Sequence, residues 1–246
     1  MVTVGGRAHN LDEVMHICKL GYPFVEYSLS DPAKVEAELE KLTSLKELYN
    51  IDLMAHFPNE DNPFDIKVLS EKFVPRMKKL LDLSSKLGIK KGTFHFWMDR
   101  RWASQVLVDE KISLVDNMVS YGKDRGIVLC IENLSERYDS FAKAFNSVPD
   151  LMMTLDIGHA QLLASRNTSF DFIDKYFNRI QHVHVHDNYG GVSVKDDLHL
   201  CLGEGIVDYP AILTALKERG YDSTISMEVK VEDMPSTRKE VERYIM

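Results

Sequence analysis

Val128-Leu129-Cys130-Ile131-Glu132 and, one helical segment later, Met152-Met153-Thr154-Leu155-Asp156 set the pattern of this chain. Each is a short apolar run that ends on a carboxylate. Such runs, bounded by polar segments, read as strands buried on both faces, the kind that build parallel sheets. Six more complete the series: Val2–Gly5, Phe24–Leu29, Ile51–His56, Gly92–Trp97, Ile180–His186 and Thr224–Val229. The segments between them carry helix signals. Asn10 before Leu11-Asp12-Glu13 is an N-cap, and Asp31-Pro32 is a cap followed by a first-turn proline. Gly21, Gly88, Gly126 and Gly220 each stand just past a helical pattern. Pro75 predicts a kink or split in the helix between Asp65 and Leu87.

Eight strand-then-helix units without a hairpin signal imply an α/β fold, a single (β/α)8 TIM barrel spanning residues 1–246. The rival is a doubly wound sheet, but Gly5-Gly6-Arg7 after the first strand is a poor glycine-rich phosphate loop. A hydrophobic content of 44% in 246 residues is enough to fill one large core.

With 38 acidic and 30 basic side chains, the formal charge of −8 gives no general attraction for nucleic acid. No apolar run reaches the roughly 18 residues that a membrane span requires. The first residues lack the charged-then-apolar build of a signal peptide. Cys18, Cys130 and Cys201 are odd in number and lie in apolar segments, which predicts reduced thiols and a cytoplasmic location.

Chemistry gathers at the strand ends. From the third strand onward each carries a metal-competent side chain at or beyond its carboxyl end: His56, His95, Glu132, Asp156 with His159, His184, and Glu228. Asp197 and His199 follow in the loop after strand seven. In a barrel these ends converge on one mouth. A lone histidine there is usually a core or rim residue, and Asp156 alone could cap a helix. Nine such groups at one end would repel and desolvate each other without cations. Five imidazoles with four carboxylates suit zinc, manganese or iron better than magnesium or calcium. Of the remaining histidines, His16 reads as solvated and His182 as barrel filling, while His9 and His186 read as lining the site. Trp97, Arg100, Arg101 and Trp102 form a loop suited to stacking on a base or sugar and meeting a phosphate.

These motifs resemble the xylose-isomerase-like barrel superfamily, which holds sugar isomerases, sugar epimerases and the endonuclease IV group. Gly21-Tyr22-Pro23-Phe24-Val25-Glu26-Tyr27 and His184-Val185-His186-Asp187-Asn188 look like epimerase signatures. The set Glu132, Asp156, His184 and Glu228 matches all members. His56, His95, His159 and the pair Asp197-x-His199 before Leu202-Gly203-Glu204-Gly205 are most similar to endonuclease IV. That resemblance implies up to three Zn2+ ions: one on His56, His95 and Glu132, a second on Glu132, Asp156, His184 and Glu228, and a third on His159, Asp197 and His199. The implied activity is phosphoester hydrolysis by a metal-bridging hydroxide. Its substrate would be a small phosphorylated molecule or abasic or damaged DNA. Against DNA, the loop Ser28–Pro32 has no basic residue, and Phe57-Pro58-Asn59-Glu60-Asp61-Asn62 is acidic. The alternative is a sugar or sugar-phosphate isomerase or epimerase, with Glu132 and Glu228 as the acid/base pair and Mn2+ or Mg2+ in place of zinc.

Overall fold

Runs of residues apolar on both faces can be buried on both only if helices cover one side and a packed interior fills the other. The computed structural model, which describes residues 1–246, has that arrangement. Eight parallel strands close into a barrel in sequential order: β1 (Thr3–Ala8), β2 (Phe24–Ser28), β3 (Asp52–His56), β4 (Lys91–Phe94), β5 (Val128–Glu132), β6 (Met152–Asp156), β7 (Ile180–Val185) and β8 (Thr224–Met227). Closure is made by β8 against β1, with Thr3 opposite Thr224 and Gly6 opposite Met227. One helix follows each strand: α1 (Leu11–Lys19), α2 (Pro32–Tyr49), α3 (Val74–Lys86), α4 (Gln105–Lys123), α5 (Tyr138–Ser147), α6 (Ser169–Tyr176), α7 (Tyr209–Glu218) and α8 (Met234–Ile245).

The local signals act as their chemistry dictates. Asn10 accepts from the Glu13 N–H at 3.0 Å, and Asp31 accepts from Ala33 N–H at 2.9 Å. Pro75 lies in the first turn of α3, preceded by a π turn at Leu69–Phe73. Proline lacks an N–H and crowds the carbonyl four residues earlier, and the widened turn accommodates both. Between the barrel and its helices lies one continuous core, with Ile17, Leu42, Leu80, Met118, Phe141, Phe172, Leu213 and Val241 all buried.

Two boundaries matter for the site. β1 runs on to Ala8 rather than ending at Gly5, so Arg7 is part of the barrel wall. β4 ends at Phe94, which leaves His95 just beyond it at the mouth. A register irregularity between Met153 and Thr154 precedes the pairing of Asp156 with His184 across β6 and β7.

Candidate metal centre

Side chains alternate in and out along a strand, so each terminal residue of the right parity enters the mouth. His56, Glu132 and Asp156 end their strands, while His95, His186 and Glu228 stand one residue past theirs. His159 begins a single 3-10 turn after β6. Asp197 and His199 arrive from the loop between β7 and α7. All nine sequence-predicted residues meet in one place, where three of five overlapping donor groups take them all in.

In the middle group, His184 Nδ1 lies 3.1 Å from Glu132 Oε1, 3.4 Å from Glu228 Oε1 and 3.7 Å from Asp156 Oδ2. Oxygen and nitrogen ligands about 2.0–2.2 Å from a tetrahedral zinc ion are roughly 3.3–3.6 Å apart, so this spacing fits a divalent cation. Asp156 Oδ2 is buried with no hydrogen-bond partner, which a cation would remedy. The second group uses the other oxygen of the same glutamate: Glu132 Oε2 lies 3.4 Å from His56 Nε2 and 2.7 Å from His95 Nε2. In the third, Asp197 Oδ2 stands 3.1 Å from His159 Nε2 and 3.2 Å from His199 Nε2, and His186 joins them.

The outer partners select the inward-facing nitrogens. His56 Nδ1 donates to the Phe57 carbonyl, His159 Nδ1 to the Asn133 carbonyl and His199 Nδ1 to the Glu228 carbonyl. His95 Nδ1 meets Asn59 Oδ1, and His184 Nε2 donates to Glu26 at 2.9 Å. In each case one nitrogen is occupied outside and the other is left facing the centre, the arrangement that orients metal-binding imidazoles.

Two residues absent from the sequence-predicted set complete the mouth. Glu26, wholly buried on β2, lies beneath His184 and also takes His182 Nε2 at 2.9 Å. Arg7 places Nη1 2.6 Å from Glu228 Oε1. The signal for Glu26 was a carboxylate amid apolar strand residues; for Arg7 it was only a parity that a longer β1 reveals.

Burial alone would raise the carboxyls and lower the imidazoles, and here mutual attraction overrides it. The neighbouring imidazoles hold Glu132 well below the usual carboxylate range. Glu228 is also lowered, by His184 and Arg7. His184 and His159 are raised well above the histidine range by the carboxylates around them, and His199 is raised to about 9 by Asp197 and Glu228. His56 goes the other way, to about 4, because burial and then Arg7 disfavour its charge. Without a bound cation several of these imidazoles therefore carry protons at neutral pH, and a divalent ion must displace them. Affinity is expected to rise with pH through neutrality. Calorimetric titration of zinc in buffers of different ionisation enthalpy should show net proton release at pH 7. No release would show that these imidazoles are already neutral at pH 7 without the ion.

Above the centre opens a cavity of about 1270 Å³, lined by Arg7, His9, His56, His95, Trp97, His159, Asp197, His199 and Glu228 among others. Its size suits a small molecule. Arg100, Arg101 and Trp102 stand outside this lining. Arg101 is engaged by Asp99 at 2.7 Å and by the Ser135 carbonyl, and its guanidinium covers the Trp102 ring. The acidic loop after β3 is also less repulsive than its sequence implies. Glu60 turns inward to Lys111 Nζ at 3.0 Å, and Asp61 faces Arg76. Burial, opposed by Lys111, raises the Glu60 carboxyl to about 7.

Residues 16–244 match the family model described as xylose isomerase-like TIM barrel, and the chain belongs to that family. An uncharacterised protein of Methanocaldococcus jannaschii is 28% identical over 84% of this chain and 74% of its own. Among solved structures, a D-tagatose 3-epimerase-like protein superposes with a TM-score of 0.81 at 23% identity, covering 99% of this chain and 97% of that one. The IOLI protein with a bound zinc atom gives 0.79 at 16% identity, covering 98% and 99%. At these identities the structures share the barrel. No helix is long and apolar enough to cross a membrane.

Proposed function

We propose that the protein is a divalent-metal-dependent isomerase or epimerase acting on a small sugar or sugar phosphate. The observation that carries this reading is the pairing of Glu132 and Glu228. Both are buried, both are held ionised, and their oxygens converge within 4.8 Å beneath a cavity of small-molecule size. A divalent ion held by Glu132, Asp156, His184 and Glu228 would supply Lewis acidity at a substrate carbonyl. The carboxylates do the proton work: one, ionised, removes the proton from the carbon beside the carbonyl and, now carrying it, can return it to the neighbouring carbon. Return to the opposite face of the same carbon falls to the other carboxylate, which first takes a proton from water while the first gives its own back to water. Charge and atoms balance without a co-substrate. Arg7 and His9 flank the cavity as hydrogen donors for hydroxyl or phosphate oxygens, and Trp97 offers an apolar wall. The likeness to a D-tagatose 3-epimerase-like barrel supports a sugar substrate, and the likeness to a zinc-bound barrel supports a divalent ion. The donor set suits zinc or manganese.

The test is direct. Protein loaded with manganese or zinc is incubated with a panel of ketoses and ketose phosphates in D2O and followed by proton NMR. Deuterium entering the carbon beside the carbonyl, with a new diastereomer or aldose forming, is the expected result. No exchange with any member of the panel would count against proton abstraction.

A second reading, phosphoester hydrolysis, is favoured by one observation: three donor groups adjoin, and Glu132 presents one oxygen to each of two. Divalent ions held by these neighbouring groups would supply Lewis acidity and an activated water for attack on a phosphoester. Release of phosphate or nucleotide from simple phosphodiesters by the zinc-loaded protein, without sugar exchange, would establish it instead.

A further inference from the structure

We infer that His186 is a fourth protein ligand of a closed cation site formed with His159, Asp197 and His199, and that the ion there fastens the loop after β7 to the barrel instead of taking part in turnover. The inference rests on the mouth being a metal centre as proposed above.

His186 has no exposed surface, and neither of its ring nitrogens has a hydrogen-bond partner. Leaving a buried polar group unmatched costs about 1–3 kcal/mol, and a cation on Nε2 would relieve one of the two nitrogens. Its Nε2 stands 3.8 Å from Asp197 Oδ1, itself buried and partnerless, and 3.1 Å from Asp156 Oδ1. With Asp197 Oδ2 beside His159 and His199, the ligand atoms of the four residues all lie within 4.8 Å of one another.

The backbone makes room for this ring. A Cβ at Gly158 would run into the His186 imidazole, so the turn after β6 admits His186 only because position 158 is glycine. Asn188 Nδ2 holds that turn by donating to the Gly158 carbonyl at 2.9 Å. On the other side His199 is held at φ 50°, a left-handed conformation that costs a non-glycine residue of order 1–3 kcal/mol. Reciprocal backbone bonds between Asp187 and Leu200, at 2.8 and 2.9 Å, fix the residue that follows it. Strain of this kind is kept where the neighbouring side chain has a fixed task.

Three imidazoles and one carboxylate make a zinc-like donor set. Four protein ligands fill a tetrahedral shell, and a filled shell is the mark of a structural ion, whereas a catalytic one keeps a position open. The ligands come from the turn after β6, the end of β7 and the long loop that follows, so a single ion would tie three segments together. Three ligands without His186 would leave that position free for water.

Cobalt(II), which reports coordination number through its visible absorption, distinguishes these cases. Chelator-treated wild type, the Glu132→Gln/Glu228→Gln double variant and His186→Ala are each titrated with cobalt and with zinc. Bound metal is counted by elemental analysis, and cleavage of the 187–206 loop by a protease is followed alongside. The double variant should keep one ion with an intense four-coordinate spectrum. His186→Ala should bind that ion at least about a hundredfold more weakly, exceeding the loss typical of outer-sphere partners, and expose the loop to cleavage. His186→Gln, which retains bulk and polarity, should behave likewise, so that a folding defect in the alanine variant does not decide the matter. An unchanged spectrum and affinity in either His186 variant overturns the inference. Failure of the catalytic-site reading would look different: a His186-dependent ion would bind, but no ion would depend on Glu132 and Glu228.

Discussion

Glu132→Gln is expected to lower kcat/KM for deuterium exchange by about 10²–10⁴-fold, the range that a positioned acid or base supplies. The reason is the double engagement of this side chain. Oε1 faces His184 and His159, Oε2 faces His56 and His95, and no part of the carboxylate reaches solvent. An amide keeps the shape and removes the charge that the surrounding imidazoles are arranged to meet. It also exchanges one acceptor oxygen for a donor NH2 pointed at histidines whose inward nitrogens would bind a cation. Metal affinity should therefore fall together with turnover, and measuring exchange at saturating metal separates the two. A variant that regains wild-type exchange once enough metal is added would show Glu132 to be a ligand only. Persistent loss at saturation assigns it a part in proton transfer. Glu228→Gln is the companion measurement, and there Arg7 loses its carboxylate partner as well.

The second large effect is expected at a residue outside the cavity lining. Glu26 takes His184 Nε2 on both oxygens, at 2.9 and 3.1 Å, and His182 Nε2 at 2.9 Å, with all three side chains fully buried. Burial alone would raise its carboxyl, but the two imidazoles hold it well below the usual range. By accepting from Nε2 it leaves His184 Nδ1 as the nitrogen that faces Glu132, Asp156 and Glu228. Glu26→Ala removes the acceptor of two buried imidazoles. Zinc affinity at the central site should drop by about 10–100-fold, as for other outer partners of metal-binding histidines. Stability of the metal-free chain should fall by roughly 1–3 kcal/mol for each unmatched group. Competition with a chromophoric chelator reads the first effect and urea unfolding the second. Unchanged zinc affinity would show that His184 does not need Glu26 to present Nδ1.

Much of this was legible in the sequence because a barrel sends all its strand ends to one mouth. Once Glu132 and Asp156 are recognised as strand ends, His56, His184 and Glu228 follow by the same reading. The limits are equally physical. Glu26 lies in a strand run, and its partners His182 and His184 belong to a strand on the far side of the barrel, a pairing that only closure creates. Arg7 depended on where β1 ends. Arg101 looked free for a ligand, but Asp99, two residues earlier, holds it. The loop Phe57–Asn62 looked repulsive to anions, yet Lys111 and Arg76 meet its charges. The left-handed His199 and the partnerless His186 are properties of assembled backbone and buried surface, which no residue pattern displays.

The most direct test is anomalous diffraction at the zinc edge from crystals grown with zinc. A strong peak is expected about 2.0–2.2 Å from side-chain atoms of Glu132, Asp156, His184 and Glu228 together. Well-ordered crystals at saturating zinc with no peak among those four residues would contradict the metal centre on which the proposed chemistry depends.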